Sequence, residues 1–185
     1  MHDIFKHGHF MLHLNNACYF GSFLQAISMI DDGCDQISKR FLSDRLPPAL
    51  TETELLNTSE GPNRPDIIKK VFPNTLCRLV RPNIARVVIE EVPPTEEDDD
   101  DDEPNRKALL YHCNENMREY HGNPLQPMEF ELDDAPAIEM LLTTTEPQWI
   151  CVNDLTHEGH IEDKVEIAQA LYDEGILAIW NPGDM

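Results

Sequence analysis

One cysteine in the 185-residue chain stands where its chemistry could matter. Cys18, in "LHLNNACYFGSFLQAISMI", lies between the pair Asn15 and Asn16 and an apolar helical pattern. A thiol attacks as its thiolate, and a free thiol is only slightly ionised at neutral pH. A helix N-terminus favours the thiolate through unpaired N–H groups and the positive end of the dipole. The same N–H groups can hold a developing oxyanion. Asn15 or Asn16 can cap such a helix. Cys18 is then either a nucleophile or a core residue that happens to start a helix. Only a base and an orienting partner elsewhere in the chain separate the two. His112 and His121 lie nine positions apart in "YHCNENMREYHGN", whereas His157 and His160 read as exposed loop histidines.

The elements that would position these groups follow from periodicity. Phe20, Phe23, Leu24, Ile27 and Ile30 recur at three- and four-residue steps, so Cys18–Ile30 reads as a helix stopped by Asp32 and Gly33. "QISKRFLSDRL" is a second helical stretch ended by Pro47 and Pro48, and "TETELL" and "RPDIIKKVF" are shorter ones. "ARVVIEEV", "ALLYHC", "PMEFEL", "QWICVND" and "ILAIW" read as strands, the third with Met128, Phe130 and Leu132 alternating against acidic partners. "EDKVEIAQALYDEG" reads as a helix closed by Gly175, with Val165, Ala168, Leu171 and Tyr172 inward. The fold class is α+β in one domain over 1–185, helical across residues 1–84 and strand-rich across residues 85–185. Residues 93–106 form a disordered acidic insert, because the consecutive carboxylates of "EEDDDDDE" repel one another and cannot pack.

A formal charge of −21 argues against nucleic acid and anionic membranes as partners, and no apolar run is long enough to span a bilayer. The five cysteines are widely spaced with no C-x-x-C pair, which points to reduced thiols in a cytoplasmic or nuclear protein without a zinc site. No metal or cofactor is expected.

The cysteine window resembles the cysteine box of the ubiquitin-specific proteases, a papain-like family of deubiquitinases. Asn16, Cys18, Tyr19, Ser22, Leu24 and Gln25 stand at matching positions. Near the other end, "WICVND" supplies Trp149, Asn153 and Asp154 at the spacings of that family's tryptophan block. The resemblance implies a papain-like fold in which the cysteine helix packs on a C-terminal antiparallel sheet. It implies Cys18 as nucleophile, His121 as general base, Asn153 as the group orienting the imidazole and Asp154 as its helper. His13 and Asn16 would serve the oxyanion, and Tyr19, Gln25 and Trp149 the substrate cleft. The activity implied is a thiol isopeptidase that removes ubiquitin or a ubiquitin-like modifier from lysine. Two departures accompany the match: His13 stands where the family carries Asn, and Tyr120 and Gly122 flank His121 in reversed order. The alternatives are an inactive binding module on the same fold, or an acidic adaptor in which Cys18 is only core.

Overall fold

The computed structural model describes residues 29–42, 44–59, 69–92, 105–114, 116 and 126–183. The chain divides into two compact units, Met1–Ser38 and Lys39–Met185. In the first, residues 29–38 are helical through Asp32 and Gly33, which do not stop the helix. Met29, Ile30 and Ile37 are exposed there. The expected cysteine helix from Cys18 otherwise lies outside the described residues.

In the second unit, residues 39–42 are helical and Leu42 is buried. The Asn116 amide caps the carbonyls of Leu42 and Arg45, both at 2.6 Å. A one-turn helix, α1 (Glu52–Leu55), starts at Thr51 with reciprocal bonds: the Glu54 N–H donates to Thr51 Oγ1, and the Thr51 N–H to Glu54 Oε2. The strands are β1 (Leu76–Leu79), β2 (Ala85–Glu91), β3 (Arg106–His112), β4 (Met128–Phe130), β5 (Ile150–Cys151) and β6 (Leu177–Trp180). The longer helices are α2 (Ala135–Thr143) and α3 (Ile161–Asp173).

Two three-stranded antiparallel sheets result, with strand orders β5-β1-β6 and β2-β3-β4. In the first, Cys77 faces Ile150 on one side and Ile179 on the other. In the second, Val88 pairs with Leu109, and Leu110 with Met128. Helix α2 lies against both β1 and β2, burying Ala137, Ile138 and Leu141. Pro136 sits in its first turn, where a missing N–H costs nothing. Helix α3 packs on β6 through Ile167, Ala168, Leu171 and Tyr172. It ends at Gly175, whose φ of 72° suits a residue without Cβ. The Ile176 N–H bonds to the Leu171 carbonyl and the Gly175 N–H to that of Tyr172, which closes the helix. Both sheets and both helices contribute to one buried cluster that includes Leu79, Ile84, Leu110, Ile138, Leu171 and Ile179.

The acidic run falls in the connection between β2 and β3, whose base is closed by the Val92 N–H on the Asn105 carbonyl. Of the expected insert 93–106, residues 93–104 lie outside the described residues, and Arg106 opens β3 opposite Glu91. Beneath that hairpin, Lys39 pairs with Glu90 and sits 5.3 Å from the centre of the Tyr111 ring. Burial first, then the Glu90 charge, pushes the Tyr111 phenol up to about 12.

Candidate functional site

Cys18, His121, His13, Asn16, Tyr19 and Gln25 lie outside the described residues. Trp149, Asn153 and Asp154 are placed, and their surroundings are those of a structural strand and turn. The Arg78 guanidinium stacks 4.4 Å from the centre of the Trp149 ring. Asn153 is exposed and held by its backbone: its N–H donates to the Pro73 carbonyl at 2.9 Å, and Lys164 Nζ donates to its own carbonyl at 3.1 Å. Among the described residues, neither the Asn153 amide nor the Asp154 carboxylate makes a hydrogen bond. Two of the described cysteines, Cys77 and Cys113, are buried and poorly suited to attack. Burial, reinforced by the Cys151 charge, pushes Cys77 up to about 12, and burial also raises Cys113.

Two histidines of the second unit, His112 and His157, have buried side chains, whereas His160 is exposed as expected. His112 ends β3 with its side chain only 5% exposed; Nε2 is 3.7 Å from Glu174 Oε1, and the buried Nδ1 has no partner. His157, expected as an exposed loop residue, has a side chain 7% exposed. Its Nδ1 accepts the Gly159 N–H at 2.9 Å, so Nε2 carries the proton that Asp134 Oδ1 accepts at 2.9 Å. A Cβ on Gly159 would come within 2.7 Å of the His157 ring and 2.3 Å of Asp163, which explains glycine there. Asp163 in turn accepts the His160 N–H at the start of α3. Among the described residues, no group of three or more His, Cys, Asp or Glu side chains gathers where a metal ion could sit.

A concave feature lies beside that same helix. Residues 70–73 and the outer side of α3 enclose a groove of about 450 Å³. Val71, Phe72, Pro73, Ile161 and Val165 line it with apolar surface, and Lys70, Glu162, Glu166 and Gln169 complete its walls. Gln169 fixes the spacing between the two walls: its Oε1 accepts the Val71 N–H at 2.8 Å and its Nε2 donates to the Lys69 carbonyl at 3.3 Å. Glu162 and Glu166 are exposed one helical turn apart. Among the described residues neither carboxylate is in an ion pair, in contrast to Glu54, Glu90 and Glu131. The sequence offered one signal for this site, the acidic pair spaced four apart; the facing wall comes from a distant segment.

The second unit is thus a small α+β module with an apolar, acid-rimmed groove and no assembled catalytic cluster among its described residues. A family model described as the ribosomal oxygenase 1 C-terminal winged helix domain matches residues 46–182, and the chain belongs to that family. Among curated proteins it is similar to the bifunctional lysine-specific demethylase and histidyl-hydroxylase NO66 of Culex quinquefasciatus, 36% identical over 155 residues, which is 80% of this chain and 21% of that protein. The protein of the same name from Dictyostelium discoideum is 31% identical over 150 residues, 80% of this chain and 25% of its own. Ribosomal oxygenase 1 of Gallus gallus is 30% identical over 162 residues, 83% of this chain and 24% of its own. The chain spans about a quarter or less of the length of these curated relatives.

These findings overturn the ubiquitin-specific protease resemblance, and with it the papain-like fold, the thiol isopeptidase activity and the ubiquitin partner. The window holding the six agreements, Asn16 to Gln25, lies outside the described residues, and the "WICVND" agreement is a short strand running into a turn. The inactive protease-like module and the acidic adaptor gain no support either. The exclusion of nucleic acid on net charge also lapses, because winged helix domains as a class typically bind nucleic acid. Among the described residues no helix is long and apolar enough to cross a membrane.

Proposed function

We propose that this chain is the C-terminal winged-helix module of an oxygenase related to the lysine-specific demethylases and histidyl-hydroxylases, and that it turns over no substrate by itself. The observation that carries this reading is the position of the match. The shared segment coincides with a domain described as C-terminal and amounts to about a quarter or less of each relative. Chemistry performed by the whole relatives therefore has most of its sequence outside the shared segment. The buried His112 and His157 support the reading. His157 has both ring nitrogens engaged in holding a loop, and the His112 ring lies under Glu174, so neither is presented as an open ligand. The location consistent with this role is intracellular, in nucleus or cytoplasm.

The test is direct. The full chain is incubated with a methyl-lysine peptide and with a histidine peptide under conditions in which a full-length relative modifies both, and the products are weighed by mass spectrometry. Both peptides should keep their mass with this chain. An oxygen gained or a methyl group lost would overturn the module reading.

A further inference from the structure

We infer that the groove between residues 70–73 and α3 docks a basic amphipathic peptide segment of a protein partner, with its apolar side chains on the floor and its lysines or arginines at the rim. The inference rests on the module reading and gives that module a ligand class.

Size fits first: about 450 Å³ lies within the usual range of sites that take small ligands or a few side chains, roughly 300–1,000 Å³. The floor is ready for apolar contact. Phe72 is 45% exposed although its neighbour Val71 is buried, so an aromatic face lies open beside Ile161 and Val165. The rim selects the sign of the partner. Glu162 and Glu166 project from successive turns of α3, free of ion pairs among the described residues, against the single cation Lys70. They belong to a chain of net charge −21, so the long-range field adds to the local one in drawing a cationic segment. Phosphates meet the reverse situation at this groove, because two uncompensated carboxylates repel a nucleic-acid backbone or an anionic membrane. The Gln169 side chain, bonded to both walls, keeps the groove at fixed width before a partner arrives, which lowers the ordering cost of binding.

The experiment uses the full chain and a fluorescein-labelled helical peptide with leucines on one face and lysines on its flanks. Saturable binding by anisotropy is expected, together with NMR shifts at the methyl groups of Val71, Ile161 and Val165. The variant Glu162→Gln/Glu166→Gln, exposed substitutions on a helix that leave the fold intact, should bind about tenfold more weakly and with a flatter salt dependence. Phe72→Ala should weaken binding about tenfold with the salt dependence retained. A peptide with glutamates in place of the lysines should not bind. Four results would each overturn the proposal: no saturable binding, shifts confined to methyl groups outside the groove, unchanged affinity in the Gln variant, or an oligonucleotide that displaces the peptide from the same methyl groups. Failure here leaves the module reading standing, because catalytic silence is measured separately; turnover by this chain would sink that reading even if the peptide binds.

Discussion

The two sheets reach the same size by opposite routes. Strands β2, β3 and β4 follow one another in the chain and each pairs with its sequential neighbour. Strand β1 instead lies between β5 and β6, which come from the far end of the sequence. The β2-β3-β4 sheet can form by local closure, whereas the β5-β1-β6 sheet joins strands whose connections enclose α2 and α3, so its pairing closes longer loops. The shared core nevertheless ties them together, with Ile138 and Leu141 of α2 lying between residues of both sheets.

The largest expected effects come from breaking each sheet in turn. Ile179→Ala in β6 and Leu110→Ala in β3 each remove a fully buried side chain and should cost about 2–5 kcal/mol. Both tryptophans, Trp149 and Trp180, flank or belong to the β5-β1-β6 sheet, so their fluorescence reports on it alone, while far-UV circular dichroism reports on both. In urea, the two signals should move together in wild type and in each variant, because one core serves both sheets. A Leu110→Ala protein whose dichroism transition shifts while its fluorescence transition stays put would divide the sheets into separate folding units.

The same contrast governs what could be read in the sequence. Strands β2, β3 and β4 announce themselves: "ARVVIEEV" is β-branched, and Met128 and Phe130 alternate with acidic neighbours. Strand β1, "LCRL", is four residues between "FPNT" and "VRPN", with nothing local to mark it. Its strand character comes from being flanked on both sides by partners the local pattern cannot see. Helix α3 is legible through its apolar stripe and Gly175. Helix α2 is absent from the sequence expectations although its signals are as clear: an Asp pair, Pro136 in the first turn and a stripe of Ala137, Ile138 and Leu141. The groove is not legible, because Phe72 and Val165 meet only after α3 has docked. The protease reading fails for a related reason. It weighs a few residues around one helix start, whereas the family signal is spread over 46–182.

A smaller effect isolates the sheet with distant partners. Arg78 on β1 stacks on Trp149, next to β5, and lies 3.9 Å from the exposed Glu146. Arg78→Ala should cost about 0.5–1 kcal/mol and alter the Trp149 emission, leaving the β2–β3 hairpin as it was. Tyr111 provides the internal control, since its ring lies under Lys39 in the other sheet and its phenol should still ionise near 12 on spectrophotometric titration of the variant. An Arg78→Ala protein with unchanged emission would mean the stacking contributes nothing in solution.

The smallest effect concerns how the end of the central strand of the long-range sheet is tied down. Glu54 on α1 reaches Arg81, in the turn after β1, at 2.9 Å. Partial burial acts to raise its pKa, but the bonds from the Thr51 N–H and hydroxyl and the Arg81 charge outweigh it and hold the carboxyl below its usual range. The folded chain therefore keeps Glu54 ionised to lower pH than the unfolded chain does. Its contribution is complete above the unfolded carboxylate value and is lost as pH falls through the lower folded value. With the Arg81 partner open to solvent, the contribution is at most about 1 kcal/mol. Glu54→Gln should thus be slightly less stable than wild type at neutral pH, and the gap should close on acidification. A gap that stays constant down to the acid range would assign the loss to capping geometry and not to charge, and would remove the ion pair as the link between α1 and β1.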